Sequence, residues 1–113
     1  MSDAGSRAYA QRQQHRDDRE REELRDTYQR LLLASALRRE LGELAKDAGK
    51  LAEQAAGSGR VAQTAGPRLA ARQQLAAELY ALAERFDVVA LVRLAELEPA
   101  DVAALDLPYC GDA

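Results

Sequence analysis

Fifty consecutive residues, Arg7 to Ala56, contain no proline and only two glycines, Gly42 and Gly49. Nothing in such a run forces the backbone out of one conformation, and its dominant residues (Ala, Leu, Arg and Glu) are strong helix formers. A single helix over this span is about 75 Å long at 1.5 Å per residue, beyond the usual length in globular domains. Across the chain, 67 of the 113 residues are Ala, Leu, Arg, Glu or Lys, a proportion that goes with coiled coils and long helices. Strands have little to be built from, with no Ile, five Val and two Thr. The expected fold class is all-α: an extended helical hairpin or coiled coil with a short C-terminal helix.

Punctuation residues divide the chain further. Residues 1–6 read as a disordered start and 7–56 as the long helix. Gly57-Ser58-Gly59 ends that helix, since glycine is favoured just past a helix end. The loop is expected to continue over 57–67, with Pro67 suited to a first helical position. A second helix is expected over 68–97, with a possible restart at Asp87, whose side chain can cap a new N-terminus. Residues 98–106 form a short third helix, opened by Pro99 with Asp101 in its first turn, and 107–113 form a tail.

The long helix has two chemically distinct halves. Residues 9–30 are charged or polar nearly all round, with Tyr9, Leu24 and Tyr28 as the only large apolar side chains. Opposite charges stand four apart at Arg16/Glu20, Asp17/Arg21, Arg19/Glu23 and Asp26/Arg30, each pair adding a few tenths of a kcal/mol. This half reads as a solvated helix. Over 31–56 the residues Leu37, Leu41, Leu44, Ala48, Leu51 and Ala55 repeat in the 4-3 pattern that packs knobs into holes. Beside them runs a stripe of small residues, Ser35, Gly42, Ala45, Gly49, Ala52 and Ala56. Two adjacent stripes can serve two neighbours, the small one allowing close approach.

In the second helix Leu75, Leu79, Leu82, Phe86 and Val89 continue the same spacing and are expected to pair with Leu37–Leu51. The amphipathic pattern stops after Asp87. Over 88–97 only two residues are charged, and a helix apolar on all sides is usually buried. Ala supplies 24 residues of the chain and buries little area per residue. Together these features suggest burial shared with other chains. The residues expected to bind partners are Leu37, Leu41, Leu44, Leu51, Leu75, Leu79, Leu82, Phe86, Val88, Val89, Leu91 and Val92.

Catalysis requires convergent acids, bases or nucleophiles. The only His is His15, in an exposed polar stretch, and the only Cys is Cys110, near the C-terminus. No metal-ligand spacing, phosphate-binding loop or nucleophile elbow occurs, so no enzyme, cofactor or metal is expected. One Cys cannot form an intrachain disulfide. Fourteen Arg raise the question of nucleic acid, but phosphate affinity needs unbalanced positive charge. Residues 1–30 are neutral overall, 31–83 carry +2 and 84–113 carry −5. Nucleic-acid binding is disfavoured, and the acidic end suits a partner of opposite sign. No apolar run is long enough to span a bilayer and no secretory core follows Met1, so a cytoplasmic, intracellular location is expected.

The segment Leu79-Tyr80-Ala81-Leu82-Ala83-Glu84-Arg85-Phe86-Asp87-Val88-Val89-Ala90, followed by Arg93-Leu94, resembles the C-terminal helix of the third subunit of the biogenesis of lysosome-related organelles complex. That resemblance implies a coiled-coil subunit of a cytosolic trafficking complex and transfers no catalytic or binding residue. The expected function is a non-catalytic coiled-coil subunit or adaptor of a multi-protein assembly, with a foreign partner favoured over self-association. The alternatives are a self-assembling structural homo-oligomer, and a regulator that binds nucleic acid or an enzyme through the charged N-terminal helix.

Overall fold

The computed structural model describes residues 3–108, with side chains from Arg7 onward. Helix α1 runs from Asp3 to Ala56 and α2 from Arg60 to Arg85, followed by a 3-10 turn at Val89–Leu91 and a short helix α3, Pro99–Ala103. Among the described residues there is no strand. The molecule measures 89 × 22 × 18 Å, close to the length of α1 itself, about 81 Å at 1.5 Å per residue. The extended helical hairpin expected from the sequence is the architecture observed.

Several boundaries differ from expectation. The backbone of residues 3–6 is already helical, while Met1 and Ser2 lie outside the described residues. Only Gly57, Ser58 and Gly59 separate the two long helices, so the expected 57–67 loop is mostly helix. Gly59, at φ 91°, makes the reversal in a region that disfavours any side chain, and its carbonyl accepts a hydrogen bond from Gln63 N at 3.2 Å. Pro67 then sits inside α2. Proline clashes with the residue before it unless that residue lacks a Cβ, and here it is Gly66. Gln63, whose carbonyl loses its helical partner to Pro67, is exposed, so water can satisfy it.

Helix α2 stops at Arg85 instead of continuing to residue 97. Asp87 adopts φ 55°. Its N–H donates to Glu84 O at 3.1 Å, and the Val88 N–H donates to Ala83 O at 2.8 Å. This pair of bonds is the Schellman closure of a helix C-terminus, in which a left-handed residue turns the chain back. Asp87 therefore ends α2 and does not cap a new helix. Val88 then packs with Ala83 in one buried cluster, the apolar contact that accompanies this closure. Asp106 is also left-handed after α3, at φ 52°, its N–H donating to Ala103 O at 3.0 Å, and leads to buried Leu107. Leu107 thus belongs to the core and not to a free tail; residues 109–113, Cys110 among them, lie outside the described residues.

The two-stripe reading of α1 describes the packing, with both neighbours drawn from the same chain. The Leu seam meets α2 through alanines. Leu41, Leu44, Ala45 and Ala48 share a core with Ala76, and Ala34 and Leu37 share one with Ala83 and Val88. The expected Leu75–Leu79–Leu82–Phe86 seam is not the inward face of α2. Leu75, Leu82 and Phe86 are exposed, while Ala65, Ala76 and Ala83 are buried. Small side chains on α2 let it close against the leucines of α1, which leaves its own leucines at the flank.

The small stripe meets the C-terminal segment. Leu97 Cδ1 approaches the Cβ direction of Gly42 and the Asp101 side chain lies over Gly49. Leu94, Val102, Leu105 and Leu107 complete the larger core cluster. Gln73 Nε2 donates to Ala104 O at 2.9 Å, tying α2 to the end of α3. Arg38 pairs with Glu96 at 2.8 Å across the same seam. The apolar C-terminal segment is a third layer of the chain's own hairpin. The large side chains it brings supply the burial that an Ala-rich hairpin lacks.

Candidate interaction surfaces

The twelve residues expected to bind partners fall into three groups. Leu37, Leu41, Leu44 and Val88 are buried inside the chain. Leu51, Leu79, Val89 and Val92 are half-buried, and all but Leu51 pack against the core clusters. Leu75, Leu82, Phe86 and Leu91 are exposed, at 38–48% of their full area. The expected partner-binding residues Val88, Val89 and Val92, from the apolar segment 88–97, are committed to the chain's own fold, and of the four only Leu91 is exposed. Their side chains have neighbours that the sequence pattern does not disclose.

What remains uncovered is concentrated in two places. The first is the N-terminal part of α1. From Tyr9 to Leu32 every residue is exposed, and Leu33 is the first residue packed against a core cluster. Five large apolar side chains stand on this arm: Tyr9, Leu24, Tyr28, Leu31 and Leu32. Leu31 and Leu32 escape a reading that looks only for 4-3 spacing, because they adjoin a buried seam without belonging to it. The second is the outer flank of α2, where Leu75, Leu82 and Phe86 stand seven and four residues apart. Leu75 lies two residues from Gln73, about 200° round the helix, and so faces away from the C-terminal layer that Gln73 bonds. The Arg85 guanidinium sits 5.8 Å from the Phe86 ring centroid, stacking a charge over this apolar flank.

A third feature is polar. An open cleft of about 570 Å³ lies between α1 and the chain over 93–97, with Arg38, Arg39, Lys46 and Arg93 along its walls. Glu43 and Glu96 also line it, and Glu96 holds Arg38 in an ion pair. No local pattern marks this cleft, because Arg93 is more than fifty residues from Arg38 and Arg39 in the chain.

Among the described residues no group of three or more His, Cys, Asp or Glu is placed to hold a metal ion. His15 is exposed on the arm, beside Arg12, Arg16 and Arg19. The buried side chains among the described residues are all Ala, Leu or Val. Among the described residues no helix is long and apolar enough to cross a membrane.

Comparison with known proteins finds no matching family model, curated protein or solved structure.

Proposed function

We propose that the chain is a non-catalytic assembly subunit or adaptor, a helical arm carried on a self-contained three-layer hairpin. The observation that supports this reading is the arm itself. More than twenty consecutive residues of helix project beyond the hairpin with every side chain exposed, five of them large and apolar. Beyond the hairpin this helix has no tertiary packing, which supplies most helical stability in proteins, and another helix laid alongside would provide it. The leucine seam that resembles a partner-binding surface serves instead to fold the chain onto itself. The functional surface is thereby shifted to the arm, with the Leu75–Leu82–Phe86 flank as a second apolar face. The chain takes no cofactor or small-molecule substrate in this reading, and it works inside the cell.

Affinity capture of the tagged chain from its native lysate tests the reading, run beside a variant lacking residues 1–30. The expected result is one or more co-purifying chains with the full-length bait and their loss with the truncated bait. Recovery of the tagged bait with neither a foreign chain nor an untagged copy of itself, in both cases, overturns the proposal.

A further inference from the structure

We propose that the arm is self-complementary: residues 7–26 pair antiparallel with the same residues of a second copy of this chain. The inference rests on the proposed role of the arm and names its occupant. Residues 7–16 contain Arg7, Arg12 and Arg16 and no acid, for a charge of +3. Residues 17–26 contain Asp17, Asp18, Glu20, Glu22, Glu23 and Asp26 against Arg19, Arg21 and Arg25, for a charge of −3. The neutral composition of the arm thus conceals two blocks of equal and opposite charge, joined between Arg16 and Asp17.

Two such helices side by side have one favourable arrangement. Parallel pairing in register sets +3 against +3 and −3 against −3. Antiparallel pairing centred between residues 16 and 17 sets each basic block against an acidic one. Charges flanking a helix seam choose partner and orientation in this way. The same register brings apolar groups together. It places Tyr9 beside Leu24 of the second copy, and Leu24 beside its Tyr9, so two apolar contacts flank a central Arg16–Asp17 pair. Both side chains are 70% exposed in the single chain. They are fifteen residues apart, close to four full turns, and so lie on the same side of α1. The arrangement has a two-fold axis and closes on itself, as an isologous dimer does. Among the described residues no other element obstructs it, since the chain first folds back onto α1 at Leu33.

Light scattering after size exclusion reads the mass, with 12.4 kDa expected for one chain. The wild type is expected at twice that mass in low salt, shifting toward the single-chain mass as salt screens the blocks. Two charge-reversed variants make the test specific. One carries Arg7→Glu, Arg12→Glu and Arg16→Glu; the other carries Asp17→Lys, Glu20→Lys and Glu23→Lys. Each alone has two blocks of one sign and is expected to be monomeric with its hairpin intact by circular dichroism. An equimolar mixture is expected to restore the dimer. Orientation is read in a Cys110→Ser background, where Tyr9→Cys mixed with Leu24→Cys is expected to cross-link with a short bismaleimide and Leu24→Cys alone is not.

A wild type that stays at 12.4 kDa up to millimolar concentration overturns the inference. So does a dimer that persists in either variant alone, or efficient cross-linking of Leu24→Cys to itself. A monomeric chain that still captures a different protein through the arm refutes the second copy as occupant and leaves the adaptor reading standing. A monomeric chain that captures nothing refutes both.

Discussion

Gly49, midway along the packed half of α1, lies directly beneath Asp101 of α3. A methyl group at residue 49 would stand 2.6 Å from Asp101 Cγ and 3.2 Å from its Cβ. Gly42, two turns earlier on the same stripe, faces only Leu97 Cδ1 at 3.7 Å, an ordinary van der Waals separation. The two glycines therefore behave oppositely on substitution. Gly42→Ala is expected to stabilise the chain by about 0.5–1 kcal/mol, through the helical preference of alanine. Gly49→Ala gains the same preference but must turn the Asp101 carboxylate aside and push its Cβ back by a few tenths of an ångström, which offsets that gain and is expected to cost up to about 1–3 kcal/mol net. Urea unfolding of the pair decides it; equal effects would mean that α3 does not seat on Gly49.

Asp87 is held at φ 55° by the two hydrogen bonds that close α2. Asp tolerates this region better than a branched residue does, and glycine tolerates it best. A carboxylate also opposes the negative end of the helix dipole. Asp87→Gly is expected to raise stability by up to about 1 kcal/mol, and Asp87→Val to lower it by about 1–2 kcal/mol. A thermal shift of the same sign for both variants would show that this conformation is not the determinant.

Val88 is fully buried in a cluster made only of aliphatic groups, whereas Leu91, three residues on, is 44% exposed. Val88→Ser removes two methyl groups and puts a hydroxyl among aliphatic side chains, at a cost of about 2 kcal/mol. Leu91→Ser should stay within about 0.5 kcal/mol of the wild type. The contrast is read by chemical denaturation of the isolated chain, because the cluster around Val88 is intramolecular.

These contrasts show where the sequence is legible. Leu37, Leu41 and Leu44 declare themselves by spacing, because a buried helical stripe must recur every three or four residues. The small stripe beside them is readable for the same reason, though not the identity of what covers it. The inward face of α2 is not. Ala76 and Ala83 are buried while Leu75 and Leu82 are exposed, and alanine serves equally at a solvated surface and at a close helix contact. Asp87 misleads because the residue that caps a helix start is also among those that tolerate the left-handed turn at a helix end. As for the site, the arm is plain from its charge density alone. That the leucine seam is taken up by the chain's own fold emerges only once residues 94–107 are seen to cover the hairpin.

Leu44 and Leu82 occupy matching places in their two seams but differ in burial, at 7% and 38% exposed. Leu44→Asp puts a charge into an apolar core without a partner, which costs several kcal/mol. Against a total stability of about 5–15 kcal/mol for a domain, it should leave the hairpin largely or wholly unfolded. Leu82→Asp should leave circular dichroism and melting nearly unchanged, since its carboxylate reaches water. Partner capture with Leu82→Asp then reports on the outer flank of α2 free of any folding defect.

Removing residues 1–30 tests whether the arm and the hairpin are one cooperative unit. The hairpin core begins at Leu33 and Ala34, and residues 9–32 are wholly exposed, so the deletion takes away helix without taking away core. The truncated chain is expected to lose about half of the α1 helical signal and to keep its unfolding midpoint within a few degrees. The intact chain at high dilution should show the complementary behaviour. Its arm has only local hydrogen bonds and weak charge pairs to hold it, so amides before Leu31 should exchange fast, while those of Leu37 to Ala48 are protected by global unfolding. Raising the concentration should slow exchange in the arm and leave the hairpin as it was, because a helix packed alongside stabilises only the residues it covers. Protection of the arm at high dilution, or a large drop in midpoint on truncation, would show instead that residues 3–30 are part of the folded core.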